Sequence, residues 1–240
     1  HEPERVRRFL RDTRARPASA EAGARVFVRA TCASCHTIGS RALVPDLSRG
    51  ASGPDLGGVT QRLLAHGADG ARLSGLILTH LHSDHTVDFI QLLLSGWHQG
   101  RTAPLRVFGP RRTRAFFGAL LEAWRPEFAQ RIAHELRPPA GLEVAIEEIG
   151  GDWVLETEQL RIAATEVRHQ PVPQAFGFRF DAEGAGGSGA ASAVISGDTA
   201  YSPELIALAQ GCDLLVHEAF VHWEYEARRQ AAPEQARRNI

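Results

Sequence analysis

The run Thr79-His80-Leu81-His82-Ser83-Asp84-His85 constrains this chain more than any other feature of its sequence. It closes an apolar stretch, residues 75–79, that reads as a strand. In extended backbone, side chains two positions apart point to the same side. His80 and His82 therefore converge without any long-range folding. Asp84 and His85 follow as the chain turns toward a helical stretch at 87–94, and they add a carboxylate and another imidazole, donors that hydrolytic zinc prefers. A lone histidine on an apolar face is usually a satisfied core residue. Four donors within six positions are costly to bury without a metal ion or a charge partner, so the run predicts a metal site able to serve two adjacent ions.

The surroundings of the run read as α/β. Short apolar segments at 75–79, 105–108, 160–167, 176–180, 193–196 and 214–217 are bounded by Gly, Pro or polar residues and predict strands. Helical patterns occupy 87–94, 113–124, 127–136 and 203–209. Such alternation places functional groups on loops that follow strands. The Gly-rich stretch 184–189 lacks the Lys and Ser order of a phosphate loop and predicts a flexible hairpin tip. With 43% apolar and 23% charged residues, the 240-residue chain has the means to bury one substantial core. Twenty-seven basic residues against 28 acidic ones leave a net charge of -1, which gives no global attraction toward nucleic acid or a membrane surface. The longest strongly apolar runs, such as Leu76-Ile77-Leu78 and Leu92-Leu93-Leu94, fall far short of the ~20 residues that a bilayer span requires. The absence of Met and the start at His1 suggest a processed or excised piece.

His80-x-His82-x-Asp84-His85 resembles the signature of the metallo-β-lactamase superfamily, and its context is similar to the ribonuclease Z and arylsulfatase-like branch. Further landmarks arrive in the family's order across residues 59–224. Val59-Thr60-Gln61-Arg62-Leu63 looks like the helix before the motif, and His169 looks like the next zinc ligand. Ser196-Gly197-Asp198-Thr199 resembles the turn with the bridging carboxylate, and Val216-His217-Glu218-Ala219-Phe220 the family's His-Glu-Ala box. The resemblance implies a metallo-β-lactamase-type αβ/βα sandwich. It also implies one zinc held by His80, His82 and His169, and a second held by Asp84 and His85, with Asp198 bridging. Such a pair activates water as a bound hydroxide for attack on a phosphodiester or related ester. Asp84 and Glu218 are the catalytic candidates, Asp84 as acceptor of the nucleophile's proton and Glu218 as orienter of a ligand or helper of the leaving group. His217 is not placed as a ligand, and His66, His98, His134 and His222 read as surface residues.

Two stretches depart from the family pattern. No initial strands and Gly-rich turn are found before Val59. Residues 23–58 instead resemble a class I cytochrome c, with Cys32-Ala33-Ser34-Cys35-His36 as a haem c attachment pattern followed by Gly53-Pro54-Asp55-Leu56. The fold is thus expected to lack its first strands. The superfamily's last metal-binding histidine is not found before Ile240, so the C-terminal end is expected to be missing too, with the second zinc short of a ligand, held more weakly, and hydrolysis weak. The expected division is an Arg-rich linker or helix at 1–22, the cytochrome-like segment at 23–58 and an incomplete hydrolase domain at 59–240. The main functional expectation is a zinc hydrolase of a small ester or phosphodiester, with RNA as a substrate that net charge does not favour and a homodimer implied by the resemblance. Arg111, Arg112 and Arg114 are candidates for an anionic substrate, against the plainer reading of a solvated helix start. The alternative is a haem-bearing electron-transfer or sensing module on a degenerate hydrolase scaffold. The first implies a cytoplasmic location, the second a periplasmic one.

Overall fold

The computed structural model describes residues 59–60, 63, 68, 70–183, 189–219, 226 and 229–231. The expected linker at 1–22, the cytochrome-like segment with Cys32, Cys35 and His36, most of the hairpin tip at 184–189, and His66 and His222 lie outside them. The chain divides between Gly150 and Gly151 into two compact units.

The first unit is a three-stranded parallel sheet with helices. Strands β1 (Leu76–Ile77), β2 (Leu105–Gly109) and β3 (Val144–Glu148) lie in that order, with Leu76 opposite Val107 and Leu105 opposite Val144. Between β1 and β2 come a one-turn helix α1 (Ser83–Thr86) and helix α2 (Phe89–His98). Helix α3 (Thr113–Glu135) connects β2 to a 3-10 turn at Pro139–Leu142 and so to β3. Leu78, Phe89, Ile90, Leu93, Trp97, Leu105, Val107, Phe117, Phe128 and Leu142 form the core. Burying a side chain of this size is worth ~1.5–3 kcal/mol, so this cluster is the main force holding helices to sheet.

Two expectations are corrected in this unit. The patterns 113–124 and 127–136 are one helix, with Pro126 inside it. Proline removes one backbone donor and disfavours the helix interior. The helix nevertheless continues because Phe117 and Phe128, three turns apart on one face, are both buried in the core. Strand β3 went unpredicted because only Val144 and Ile146 carry its apolar side, among exposed Ala145, Glu147 and Glu148. Its register is set by β2, a partner that local pattern does not reveal.

The second unit is a five-stranded sheet in the order β4 (Val154–Glu156), β5 (Leu160–Val167), β6 (Ala175–Ala182), β7 (Ala191–Ile195), β8 (Leu214–Val216). The last pair is parallel and the others antiparallel. Helix α4 (Pro203–Leu208) joins β7 to β8, and the Ser202 hydroxyl caps it by accepting from the Leu205 amide at 3.2 Å. Leu205, Val167, Ala175, Val194 and Ala209 pack together beneath it. Strand β5 matches its expected bounds, and β6 exceeds them at both ends. No helix among the described residues is long and apolar enough to cross a membrane.

Candidate metal centre

In the first unit the pairing of β1 with β2 runs on past Ile77, since the Leu78 amide donates to the Phe108 carbonyl at 2.8 Å. This extension delivers His80 in a fixed direction, wholly buried. Its Nδ1 lies 3.0 Å from the Thr79 hydroxyl and its Nε2 3.1 Å from His82 Nδ1. The His82 carbonyl then accepts from the His85 amide at 3.1 Å and from the Thr86 hydroxyl at 3.0 Å, winding α1 back over the strand end. That turn brings the His85 ring to 4.1 Å from the His80 ring, centroid to centroid, while His82 meets His80 edge-on at 4.7 Å. Asp84 Oδ2 stands 3.7 Å from His85 Nε2, with the Asp84 side chain 39% exposed and that of His85 10%. The four side chains thus lie near one another after the end of β1.

The second unit gathers its own set by topology. Strands β5 and β7 are each antiparallel to β6, and β8 is parallel to β7, so β5, β7 and β8 run in one direction and end at one edge. From that edge come His169 after β5, Asp198 after β7, and His217 and Glu218 after β8. His169 Nε2 lies 3.8 Å from Asp198 Oδ2. The loops are tied together: the Ala200 amide donates to the Arg168 carbonyl at 2.6 Å, and the Val172 amide to the His169 carbonyl at 2.8 Å. Gly197 takes the left-handed backbone (φ 59°) that lets the chain turn sharply into Asp198.

Glu218 braces that turn. Its Oε1 accepts from the Thr199 amide, and its own amide donates to the Ser196 hydroxyl at 3.1 Å. The residues on both sides of Gly197-Asp198 are thereby fixed to the end of β8. Sequence reading missed this brace because its partners are a backbone amide and a serine hydroxyl, neither of which carries a spacing signal. His217, not placed as a ligand in the sequence reading, is exposed, with Nδ1 2.7 Å from the Glu218 carbonyl. His98 and His134 are exposed, as expected.

The donors suit a divalent cation of borderline softness. Two nitrogens on one tetrahedral zinc, at ~2.0–2.1 Å from it, stand about 3.3 Å apart. The 3.1 Å between His80 Nε2 and His82 Nδ1 is close to that value. The same separation also accommodates a hydrogen bond between the rings. Imidazole and carboxylate together are the donor set of hydrolytic zinc sites, and neither half contains a thiolate.

The chain matches the family profile described as "Beta-lactamase superfamily domain" over residues 52–238. It is 39% identical over 165 residues to the ribonuclease Z of Mycobacterium marinum, covering 67% of this chain and 56% of that protein. Against the ribonuclease Z of Mycobacterium sp. (strain KMS) it is 35% identical over 207 residues, covering 85% and 64%. The chain thus spans about three-fifths of the length of these curated relatives. Among solved structures, human tRNase Z, short form, superposes with a TM-score of 0.50 at 21% identity, over 73% of this chain and 68% of that one. That likeness concerns the fold alone. From the matched profile, the ordered landmarks and the shared fold, this chain belongs to the metallo-β-lactamase superfamily, on the branch of its ribonuclease Z relatives.

Proposed function

We propose that this chain is a zinc-dependent phosphodiesterase acting on RNA, and that residues 59–240 form its hydrolase domain. In this reading His80, His82, His169 and Asp198 hold one ion, and Asp84 and His85 hold a second with Asp198 shared. Each of the first four offers one donor atom, three imidazole nitrogens and a carboxylate oxygen. The observation that carries the reading is the placement of His80 and His82 with donor nitrogens 3.1 Å apart at the buried end of β1. RNA is favoured as the substrate class because the relatives bear the name ribonuclease Z.

A bound zinc would supply a water with its pKa lowered toward ~7 and positive charge for the developing phosphoryl oxyanion. The remaining roles fall to the chain. Asp84, half in solvent beside His85, accepts the proton released as water attacks, and passes it to the surroundings. Glu218 acts as a positioning residue, holding the Thr199 amide and with it the Asp198 turn. The full burial of His80 keeps its ring from turning away between cycles.

The direct test is to incubate the full chain, with zinc or manganese added, with bis(p-nitrophenyl) phosphate, p-nitrophenyl sulfate and a lactone. The proposal expects turnover of the phosphodiester, little or none of the other two, and loss of activity on chelation. Turnover of the sulfate or the lactone in preference to the phosphodiester contradicts the substrate class. Inactivity toward all three contradicts the hydrolase reading.

A further inference from the structure

We infer that Arg168 and Tyr201, on the two loops that carry His169 and Asp198, hold the RNA strand beside the bond to be cut, Arg168 by a phosphate and Tyr201 by stacking on a base; this rests on the phosphodiesterase reading above. Strands β5 and β7 run in one direction, so both loops leave the same edge of the second unit's sheet. Arg168 directly precedes His169, and Tyr201 follows Asp198 by three residues. A residue of extended chain spans at most ~3.6 Å, so each backbone lies within about 11 Å of the backbone of a proposed ligand. The loops are also bonded to each other, the Ala200 amide donating to the Arg168 carbonyl at 2.6 Å. The Arg168 charge is felt at the same turn: Glu204, three residues beyond Tyr201, has its pKa lowered by hydrogen bonds from its own amide and the Ser202 hydroxyl and, more weakly, by the Arg168 guanidinium.

Both side chains stand on a fixed frame. Around Tyr201 the Thr199 amide donates to Glu218 Oε1, the Thr199 hydroxyl donates to the Ala200 carbonyl at 2.7 Å, and the Ser202 hydroxyl accepts from the Leu205 amide at 3.2 Å. On the other loop the Val172 amide closes onto the His169 carbonyl at 2.8 Å. Arg168 and Tyr201 are nevertheless exposed, and neither side chain makes a hydrogen bond to a described residue. The other described arginines of the second unit each meet a carboxylate: Arg161 that of Glu156 at 3.1 Å, Arg179 that of Asp181 at 2.8 Å and Arg229 that of Glu226 at 2.8 Å. No ion pair of that kind joins Arg168 to a described residue. Of the arginines that pattern marked for an anion, Arg111 and Arg114 are engaged within the protein, Arg114 through the Ile146 carbonyl. A guanidinium with its donors unspent beside metal ligands is matched to bidentate contact with phosphate oxygens. An exposed ring on a rigid turn is a platform for a base of any identity, and its fixed backbone keeps the ordering cost of binding small.

The test is RNA binding by the full zinc-loaded chain, followed by fluorescence anisotropy from 50 to 250 mM KCl. Two labelled single-stranded probes of equal length carry phosphorothioate linkages, which resist cleavage. One is an RNA; in the other, propanediol spacers replace every nucleoside, which keeps the charges and removes the bases. R168A is expected to bind both probes about fivefold more weakly at 100 mM salt and to flatten the slope of log K against log salt by ~0.7, the value for one contact to a single strand. R168K should restore the slope. Y201A should bind the RNA about tenfold more weakly, the loss of one stacked base, and the spacer probe as wild type does. Y201F keeps the ring and should match wild type on both probes. R161A removes the same charge at the far end of β5, about 23 Å along the strand, and should stay within about twofold of wild type. Each variant should hold as much zinc as wild type, because neither side chain is a ligand. Unchanged RNA binding in R168A or Y201A, an equal loss in R161A, a Y201A loss of the same size on the spacer probe, or loss of zinc along with RNA overturns the inference, as does a wild-type chain that binds neither probe. Should the variants behave as expected while the chain cleaves no phosphodiester, the hydrolase reading fails and the RNA contacts stand.

Discussion

Glu218 acts on its neighbours through two backbone amides, Thr199 and its own, so its removal should be felt at Asp198. Losing the acceptor of a part-buried amide costs ~1–3 kcal/mol. Glu218→Ala should lower the thermal midpoint and weaken zinc binding by about 10–100-fold, the range for residues that orient ligands. Glu218→Gln keeps an oxygen for the Thr199 amide and should recover most of both. A Gln variant as damaged as the Ala variant would show that the negative charge, not the brace, is what matters. Among single residues, His80, His82, Asp84 and His85 were legible because a strand and one turn suffice to gather them. His169 and Asp198 were legible only through their order along the chain, since a histidine after a strand or an aspartate in a Gly-Asp turn carries no chemistry by itself. The brace at Glu218 was invisible because amides are the same at every position.

Elements respond to what surrounds them, and two glycines make the contrast measurable. Gly118 lies within α3 with open space where a Cβ would go. Gly118→Ala should stabilise by ~0.5–1 kcal/mol, the ordinary helix-propensity gain. At Gly141, in the turn before β3, a Cβ would fall 2.0 Å from the Arg101 carbonyl oxygen and 2.6 Å from Trp97 Cδ1. Gly141→Ala should destabilise by about 2 kcal/mol, as overpacking does. Urea unfolding of both variants checks the pair, and the same sign for both would contradict the packing described. Arg101 belongs to this junction. It is buried, and its guanidinium donates to the Leu93 carbonyl at 2.7 Å and to the Gly141 carbonyl at 3.3 Å. Burial lowers the pKa of this group below that of a free arginine. Periodicity did find β5, whose bounds match, and the start of α3. It split α3 at Pro126 and overlooked β3, because a buried stripe continuing across a proline and a strand specified by its neighbour are both tertiary effects.

For the whole molecule, a net charge of -1 argues against RNA only if charge is averaged. Screening confines each charge contact to ~8–10 Å at ordinary salt, so a local basic patch needs no overall excess of positive charge. The proposed ligand set for the first ion is His80, His82, His169 and Asp198. Zinc affinity, measured by competition with a chromophoric chelator for wild type, His80→Ala and His169→Ala, tests it most directly. Each single variant is expected to lose more than about 100-fold in affinity for the tightest-bound zinc, beyond the loss from disturbing only an orienting residue. A His169→Ala chain that binds zinc as tightly as wild type, while His80→Ala does not, would contradict it.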